Sequence, residues 1–360
     1  MHVGVCIASH VGDIDYAVRA EALGYSHAWF ADSQMLWSDC YACLALAAER
    51  TTKIHLGTGV AVSGTRPAPV NAAAIATINA LAPGRTFFGV GSGNTAMRIM
   101  GQPPHRIREF DAYLRTIQPL LRGEEAPMGP LTSGAQGDKP IRHIMPDKGF
   151  VAFDPPIPLY VSGFGPRSLG LAGRYGDGAV LALPPVPAVM EAFWQRIEEG
   201  ALAAGRVLDR TSFHTTALTT MVVLDDGEAA DSDRVKAECG AMAMATIHYA
   251  YEQWRNFGHP PPAMLRGIWE EYCALLEEYP EERRHQRIHG GHNCWVLSEE
   301  ERFLTPEILQ ASAMIGSQAE ILGRLEALAA AGLDQVMILP NFDTRYEVLE
   351  RVGQDVVAHL

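Results

Sequence analysis

The stretch "YVSGFGPRSLGLAGRYGDGAVL", residues 160–181, decides how the chain folds. It reads as a buried strand, a turn through Gly163, Gly165 and Pro166, a short helix and a second buried strand. Glycine reaches backbone angles closed to other residues and proline suits a first helical turn, so geometry alone explains the turn. It also has a chemical reading, because a helix start with bare amides and no intervening side chain is a seat for an anion.

The helix-to-strand join inside this stretch, "LAGRYGDGAVLAL" (171–183), recurs along the chain. "AEALGYSHAWFA" (20–31), "LAPGRTFFGVG" (81–91) and "LAAAGLDQVMILP" (328–340) repeat it, and "ERTTKIHLGTGV" (49–60) does so without the glycine. Each is a helix stop followed within a few residues by a near-continuous apolar strand. Strands without alternation are buried on both faces, as in a parallel sheet under helices. Strand candidates fall at 2–8, 27–31, 54–60, 86–91, 158–162, 178–182, 215–224 and 334–339, each followed by a helical stretch. This is the (β/α)8 TIM-barrel pattern. A doubly wound sheet has fewer strands, and no G-x-G-x-x-G follows the first strand.

The helices between them carry the expected period. Ile107, Phe110, Leu114, Ile117 and Leu121 form one apolar stripe, with Pro119 expected to bend or shorten the last turn. Ser317 and Glu320 form a capping box and Gly332 the stop of the last helix before the final strand. In "PAPVNAAAIATINALAPG" the expected inner face is Val70, Ala74, Ile78 and Leu81.

At 360 residues the chain exceeds the ~250 of a plain barrel. The excess sits at 123–157, a Gly/Pro-rich excursion after the fourth helix, and at 240–312, a helical segment after the seventh strand. The second holds Tyr249, Tyr251, Trp254, Phe257, Trp269, Tyr272 and Trp295, expected at the barrel mouth as a lid or subunit contact within a single domain spanning 1–360.

A net charge of -13 argues against nucleic acid and anionic membranes as partners. No apolar run approaches a membrane span, and the N-terminus lacks a basic region and cleavage pattern, so a cytoplasmic enzyme is expected. Of six cysteines, only Cys40 and Cys43 form a C-x-x-C pair, read as two small packed residues of an alanine-rich helix rather than a redox motif. A zinc site would want a second pair.

In a barrel, chemistry belongs where strands end. Here those ends are "IASH" (7–10), "FADSQMLW" (30–37), "LGTGVAVSGTR" (56–66), "GVGSGNTAMR" (89–98), "VSGFGPRS" (161–168), "LALPP" (181–185) and "ILPNF" (338–342). Most of these residues are small. Paired carboxylates for glycoside hydrolysis and His/Asp clusters for a metal are missing. A mouth ringed by small residues leaves room for a large flat ligand that brings its own reactivity.

The segment "WFADSQMLW…LALAAERTTKIHLGTGV…RPAPVNAAAIATINALAPGRTFFGVGSGN" resembles the first half of the bacterial luciferase-like flavin-dependent oxidoreductases. "VSGFGPRSLGLAGRYGDGAV" and "LTPEILQASAMIGSQAEILGRLEALAAAGLDQVMI" are similar to the branch containing methylenetetrahydromethanopterin reductase, which uses coenzyme F420. The resemblance covers most of the chain except 123–157 and much of 240–300. It implies a (β/α)8 barrel with an insertion after the seventh strand, holding reduced FMN or F420 across its mouth for hydride transfer or oxygen activation. It also implies a homodimer, a small organic substrate and, for FMN, a separate flavin reductase.

By the same resemblance, Ser162, Gly163, Phe164, Gly165, Pro166 and Arg167 contact the cofactor phosphate. Thr58, Gly59 and Val60 back the ring, with a non-prolyl cis peptide expected between Gly59 and Val60. Gly93 and Asn94 approach the ring edge or ribityl chain, and Asp32 and Ser33 border it. Two positions depart from the F420-dependent pattern: Asp32-Ser33 replaces an Asp-His pair, and Asn94 stands where some relatives carry an acid.

Substitutes for the missing proton carrier are His10 at the first strand end, Ser33, and His289 in "RIHGGHNCW" beside His292 and Trp295. A metal between His289 and His292 would need further ligands, and none lies nearby in sequence. The function expected is F420-dependent hydride transfer. The alternatives are an FMN-dependent two-component monooxygenase, a non-catalytic flavin-binding barrel, and a barrel for phosphorylated metabolites.

Overall fold

The computed structural model describes residues 1–130, 138–181 and 185–360. Eight parallel strands close on themselves: β1 (His2–Ile7), β2 (His27–Phe30), β3 (His55–Thr58), β4 (Thr86–Gly91), β5 (Leu159–Gly163), β6 (Gly178–Leu181), β7 (His214–Thr219) and β8 (Gln335–Ile338). Each pairs with its neighbours in sequence, β8 pairs with β1, and β3 with β4, so the sheet is a closed barrel. Two further residues, Ala61–Val62, extend the third strand along β4 beyond a cis peptide at Gly59–Val60. Ala182, the last residue of the expected sixth strand, and the next two positions of its strand end, 183–184, lie outside the described residues.

The helices follow from the joins. Gly24, Gly84 and Gly332 all take a positive φ at the turn where a helix gives way to a strand. In α1 (Asp15–Ala22), α2 (Cys40–Arg50), α3 (Ala68–Leu81) and α4 (Ile107–Leu120) the buried side chains pack on the outward faces of the strands. Cys40 and Cys43 are unbridged and fully buried within α2. Helix α4 runs one residue past Pro119 and stops at the turn through Gly123, which takes a positive φ. Helices α5 (Pro166–Tyr175) and α6 (Pro187–Ala203) follow β5 and β6.

The inner face of α3 differs from the expected one. Val70 and Leu81 are half exposed, whereas Asn71 and Asn79 are buried. Both amides are satisfied: Asn71 accepts from Tyr41 and donates to Tyr113, and Asn79 donates to the carbonyls of Ala152 and Pro155. A buried polar group with partners is tolerated, so hydrophobicity alone misplaces this face.

Side chains alternate along each strand. Val3, Val5, Ala28, Phe30, Leu56, Val161 and Val336 point outward beneath the helices. Pointing inward, Trp29, Phe87 and Tyr160 meet across the barrel with ring centroids 4.3 Å (Trp29–Phe87) and 5.3 Å (Phe87–Tyr160) apart. Below them His27 stacks on His55 and His214 at 4.8 and 5.3 Å. Gln335 ties these layers together, accepting from Trp29 Nε1 at 2.9 Å and from Thr216, while its amide nitrogen lies 2.7 Å from His27 Nδ1.

The first excursion contains an antiparallel pair, Ala126–Met128 with Lys139–Ile141, and precedes the start of β5. It therefore lies at the end of the barrel opposite the mouth; residues 131–137 of it are not described. The second follows β7. The expected long seventh strand breaks at the buried Thr220, after which Met221–Val223 pairs outside the barrel with Met314–Gly316. Between them run α7 (Asp233–Phe257), α8 (Trp269–Glu277), α9 (Glu281–Ile288) and α10 (Pro306–Ser312). Helix α11 (Gln318–Ala330), started by the Ser317–Glu320 capping box, leads into β8, and α12 (Arg345–Asp355) follows it.

This insertion has a hydrophobic cluster of its own around Ile247, Tyr251, Tyr272, Leu276, Phe303 and Ile308. Its aromatic surplus is consumed there: only Phe257 and Trp295 of the seven noted residues are exposed. Among the described residues no helix is long and apolar enough to cross a membrane.

Burial holds the His214 imidazole at about 4, below its ordinary 6.5, against the opposing pull of Asp334 and Gln335. His27 is pushed well below its ordinary value by burial and then by His214 and His55. The folded state thus prefers these rings neutral, while the unfolded chain protonates them near 6.5. The stability they contribute is full above about 6.5 and is lost as pH falls towards about 4, the value for His214. Denaturant unfolding followed across this window should show falling stability. A His214→Gln variant should show a shallower fall.

Candidate active site

The strand ends open into a solvent-connected cavity of about 180 Å3. The inward residues one layer above the aromatic plug form its floor: Cys6, Gly59, Val180, Leu218 and Met337, with Val60 beside them. Gly91, Ser92 and Gly93 form one wall, and Ser162, Gly163, Phe164 and Ser168 another. The insertion closes a third side with Tyr249, His292 and Asn293, next to Trp37.

Glycine is required in the wall by close approach. A Cβ at Gly93 would stand 2.3 Å from Val62 Cγ1, and the residue has φ +86°. At Gly163 a Cβ would come within 3.0 Å of the Leu169 amide, so the fifth strand end needs glycine for helix packing before any ligand is considered.

The amides at the start of α5 are not bare. Those of Phe164 and Gly165 donate to Ser168 Oγ at 3.1 and 3.2 Å, and that hydroxyl donates to the Gly165 carbonyl. Gly165, Pro166 and Arg167 stand beside the cavity and do not line it, Pro166 and Arg167 being exposed.

Asp32, Ser33, Gly59, Val60, Gly93, Asn94, Ser162, Gly163 and Phe164 do line the cavity, as sequence reasoning expected of them. Thr58 does not. Alternation turns it outward, where it is fully buried and donates to the Gly89 carbonyl at 2.6 Å. His10 is exposed and packs edge-on against Phe342 over a small neighbouring cavity, and it does not line the main one. His289 lies behind His292, fully buried, with Nε2 3.1 Å from Glu252. Tyr249, expected at the mouth with the aromatics of the insertion, and Trp37, at the end of the second strand-end segment, both line the cavity, although neither was named as a site residue.

Asp32 is buried and held by Arg66, whose guanidinium bridges it and Asp39 at 2.6 Å each. Asp39 in turn caps α2, accepting from the amides of Tyr41 and Ala42. Asn94 accepts from Arg98 at 2.8 Å. Burial pushes the Cys6 thiol and the Tyr249 phenol up to about 12, so both stay protonated at neutral pH. Tyr249 shares its hydroxyl with Thr95 at 2.8 Å. Burial, reinforced by His289 and His248, holds His292 well below its ordinary value, hence neutral. The floor holds no ionised nucleophile among the described residues.

A closed parallel barrel whose mouth is roomy, small-walled and chemically quiet defines an enzyme that borrows its reactivity from a bound group. The chain belongs to the luciferase-like monooxygenase family, whose model matches residues 11–335. It is 33% identical over 348 residues to a 5,10-methylenetetrahydromethanopterin reductase of Methanolobus tindarius, covering 95% of this chain and 94% of that one. In fold it is similar to the coenzyme F420 dependent tetrahydromethanopterin reductase of Methanopyrus kandleri, with TM-score 0.68 at 23% identity, covering 100% and 99% of the two chains. It is also similar to the oxygenating constituent of 3,6-diketocamphane monooxygenase of Pseudomonas putida, solved with FMN, with TM-score 0.62 at 17% identity, covering 100% and 98%.

Removing Arg66 would leave the Asp32 carboxylate buried without its counter-ion. An Arg66→Ala variant should lose about 3 kcal/mol of stability in urea unfolding. Adding Asp32→Asn should restore part of that loss.

Proposed function

We propose that the chain is an oxidoreductase holding coenzyme F420 across the barrel mouth for hydride transfer with a small organic substrate. The observation that carries this reading is the open cavity at the strand ends, floored by apolar side chains and walled by residues too small to fill it. The cradle fits a flat ring: a Cβ at Gly91 would stand 3.1 Å from Val60 Cγ2 and 3.4 Å from Ser162 Cβ, so any larger residue would occupy it. F420 is preferred over FMN because the relatives include an F420-dependent glucose-6-phosphate dehydrogenase of Amycolatopsis mediterranei, 27% identical over 314 residues.

In this reading Val60 and the Gly59–Val60 peptide back the ring, and Gly91 to Asn94 border its edge. Ser162, Gly163, Phe164 and Ser168 meet the phosphate, with the Ser168 hydroxyl released from the Phe164 and Gly165 amides to make way for it. The bound cofactor supplies the electron pair. Trp37, Tyr249, His292 and Asn293 form the substrate side, excluding water and orienting the reacting carbon. Tyr249 and Ser33 are the hydroxyls placed to hold a proton there. Dimerisation of two such chains belongs to the same reading.

Parallel titrations with F420 and FMN, followed by absorbance and fluorescence, test it. F420 should bind more tightly. Tight binding of FMN alone would move the chain to the two-component monooxygenases with a separate reductase, and binding of neither would overturn the functional reading. Retained cofactor without turnover of any substrate would identify a non-catalytic binding barrel. A Gly91→Leu variant should keep its circular dichroism spectrum and lose at least about tenfold in cofactor affinity, since its side chain enters the cradle.

A further inference from the structure

The insertion holds a cluster of three histidines, of which only His292 reaches the mouth. His248 on α7 and His289 and His292 in the turn after α9 are all buried, and one ligand atom from each lies within 4.8 Å of the others. His248 precedes Glu252 by one helical turn on α7, and His289 precedes His292 by three residues. The two pairs are far apart in sequence, which hides the third ligand.

The hydrogen bonds at the three rings follow one pattern. His248 Nε2 lies 3.2 Å from Glu300 Oε1, His289 Nε2 lies 3.1 Å from Glu252 Oε1, and His292 Nε2 lies 3.0 Å from the side-chain amide of Asn293. The Nδ1 atom of every ring is buried and has no hydrogen-bond partner among the described residues. A carboxylate accepts, so His248 and His289 carry their protons on Nε2 and present a lone pair at Nδ1. Asn293 Oδ1 is likewise buried without a partner among the described residues. A half-turn of that amide, an assignment made from the hydrogen-bond network, lets Oδ1 accept from His292 Nε2 and gives the third ring the same tautomer. Asn293 has φ +53°, unusual for a residue other than glycine, and the bend it makes carries this turn.

We propose that His248, His289 and His292 bind a first-row divalent metal ion of the zinc type through their Nδ1 atoms. Three buried imidazoles, each with its far nitrogen held by an acceptor, form the arrangement in which outer carboxylates fix ring orientation and raise ligand basicity. Imidazole donors suit zinc and its neighbours rather than calcium or magnesium. Three protein ligands leave a tetrahedral ion one open position. Because His292 also lines the mouth, the ion stands behind the substrate side of the cavity. The proposal is independent of which ring cofactor the barrel holds.

The test uses the full-length, tag-free chain, stripped with a chelator and titrated with Co2+ alone. One Co2+ per chain should bind with the intense visible absorption of a tetrahedral ion, and Zn2+ should displace it. His248→Ala and His292→Ala should each weaken binding by more than about tenfold, and Glu300→Gln by about tenfold, as loss of an outer partner does. His259→Ala, an exposed histidine of the same insertion, should leave affinity unchanged. Absence of saturable binding, or binding that survives His248→Ala, overturns the proposal. A wild-type measurement guards against a variant that fails to fold: three exchangeable, paramagnetically shifted imidazole N–H protons should appear in the Co2+ form, and fewer than three overturns the proposal.

Discussion

The plug formed by Trp29, Phe87 and Tyr160 sets the height of everything above it. Three large rings in one layer fill a barrel of this size only if neighbouring strands withhold their side chains. At Gly57 a Cβ would lie 2.3 Å from the Phe87 ring, and at Gly178 one would lie 2.6 Å from Tyr160. Aromatic bulk and glycine therefore share one layer, and the next layer up begins the cavity. A barrel filled in this way has a packed lower half and a vacant upper half, which is what a bound flat ring requires.

The barrel was legible in the sequence because its joins share one punctuation, a helix stop set directly before an apolar run, and that pairing marks a buried strand wherever it recurs. What lay beyond the sequence was direction. Thr58 belongs to the right strand end but sits on the wrong side of it. His10 ends the right strand yet leans over Phe342. The inner face of α3 was hidden because Asn71 and Asn79 look like solvent residues until Tyr41, Tyr113 and the carbonyls of the first excursion arrive to partner them. Of the aromatics of 240–312, expected together at the mouth, Tyr251, Trp254, Trp269 and Tyr272 pack within the insertion and Tyr249 lines the cavity, since composition does not say what an aromatic packs against.

The candidate site was half legible for the same reason. Small residues at strand ends announced themselves, whereas which member of the insertion's aromatics and of its histidine turn lines the cavity, Tyr249 and His292, is decided by tertiary contacts. The insertion is stitched there by backbone. Asn341 accepts from the Ala241 amide and donates to Glu238, and the Phe342 amide donates to Cys294. These bonds join the loop after β8 to both α7 and the histidine turn, so the walls of the cavity from the barrel and from the insertion keep one register.

The strand pair Ala126–Met128 and Lys139–Ile141 has a practical consequence of its own. It precedes β5 and is tied to the last turn of α4, where the Thr116 hydroxyl donates to the Pro127 carbonyl at 2.7 Å, at the end of the barrel opposite the chemistry. A dye, an affinity handle or a surface tether attached at the exposed Lys139 would report on or immobilise the molecule without standing in the path of anything that enters or leaves.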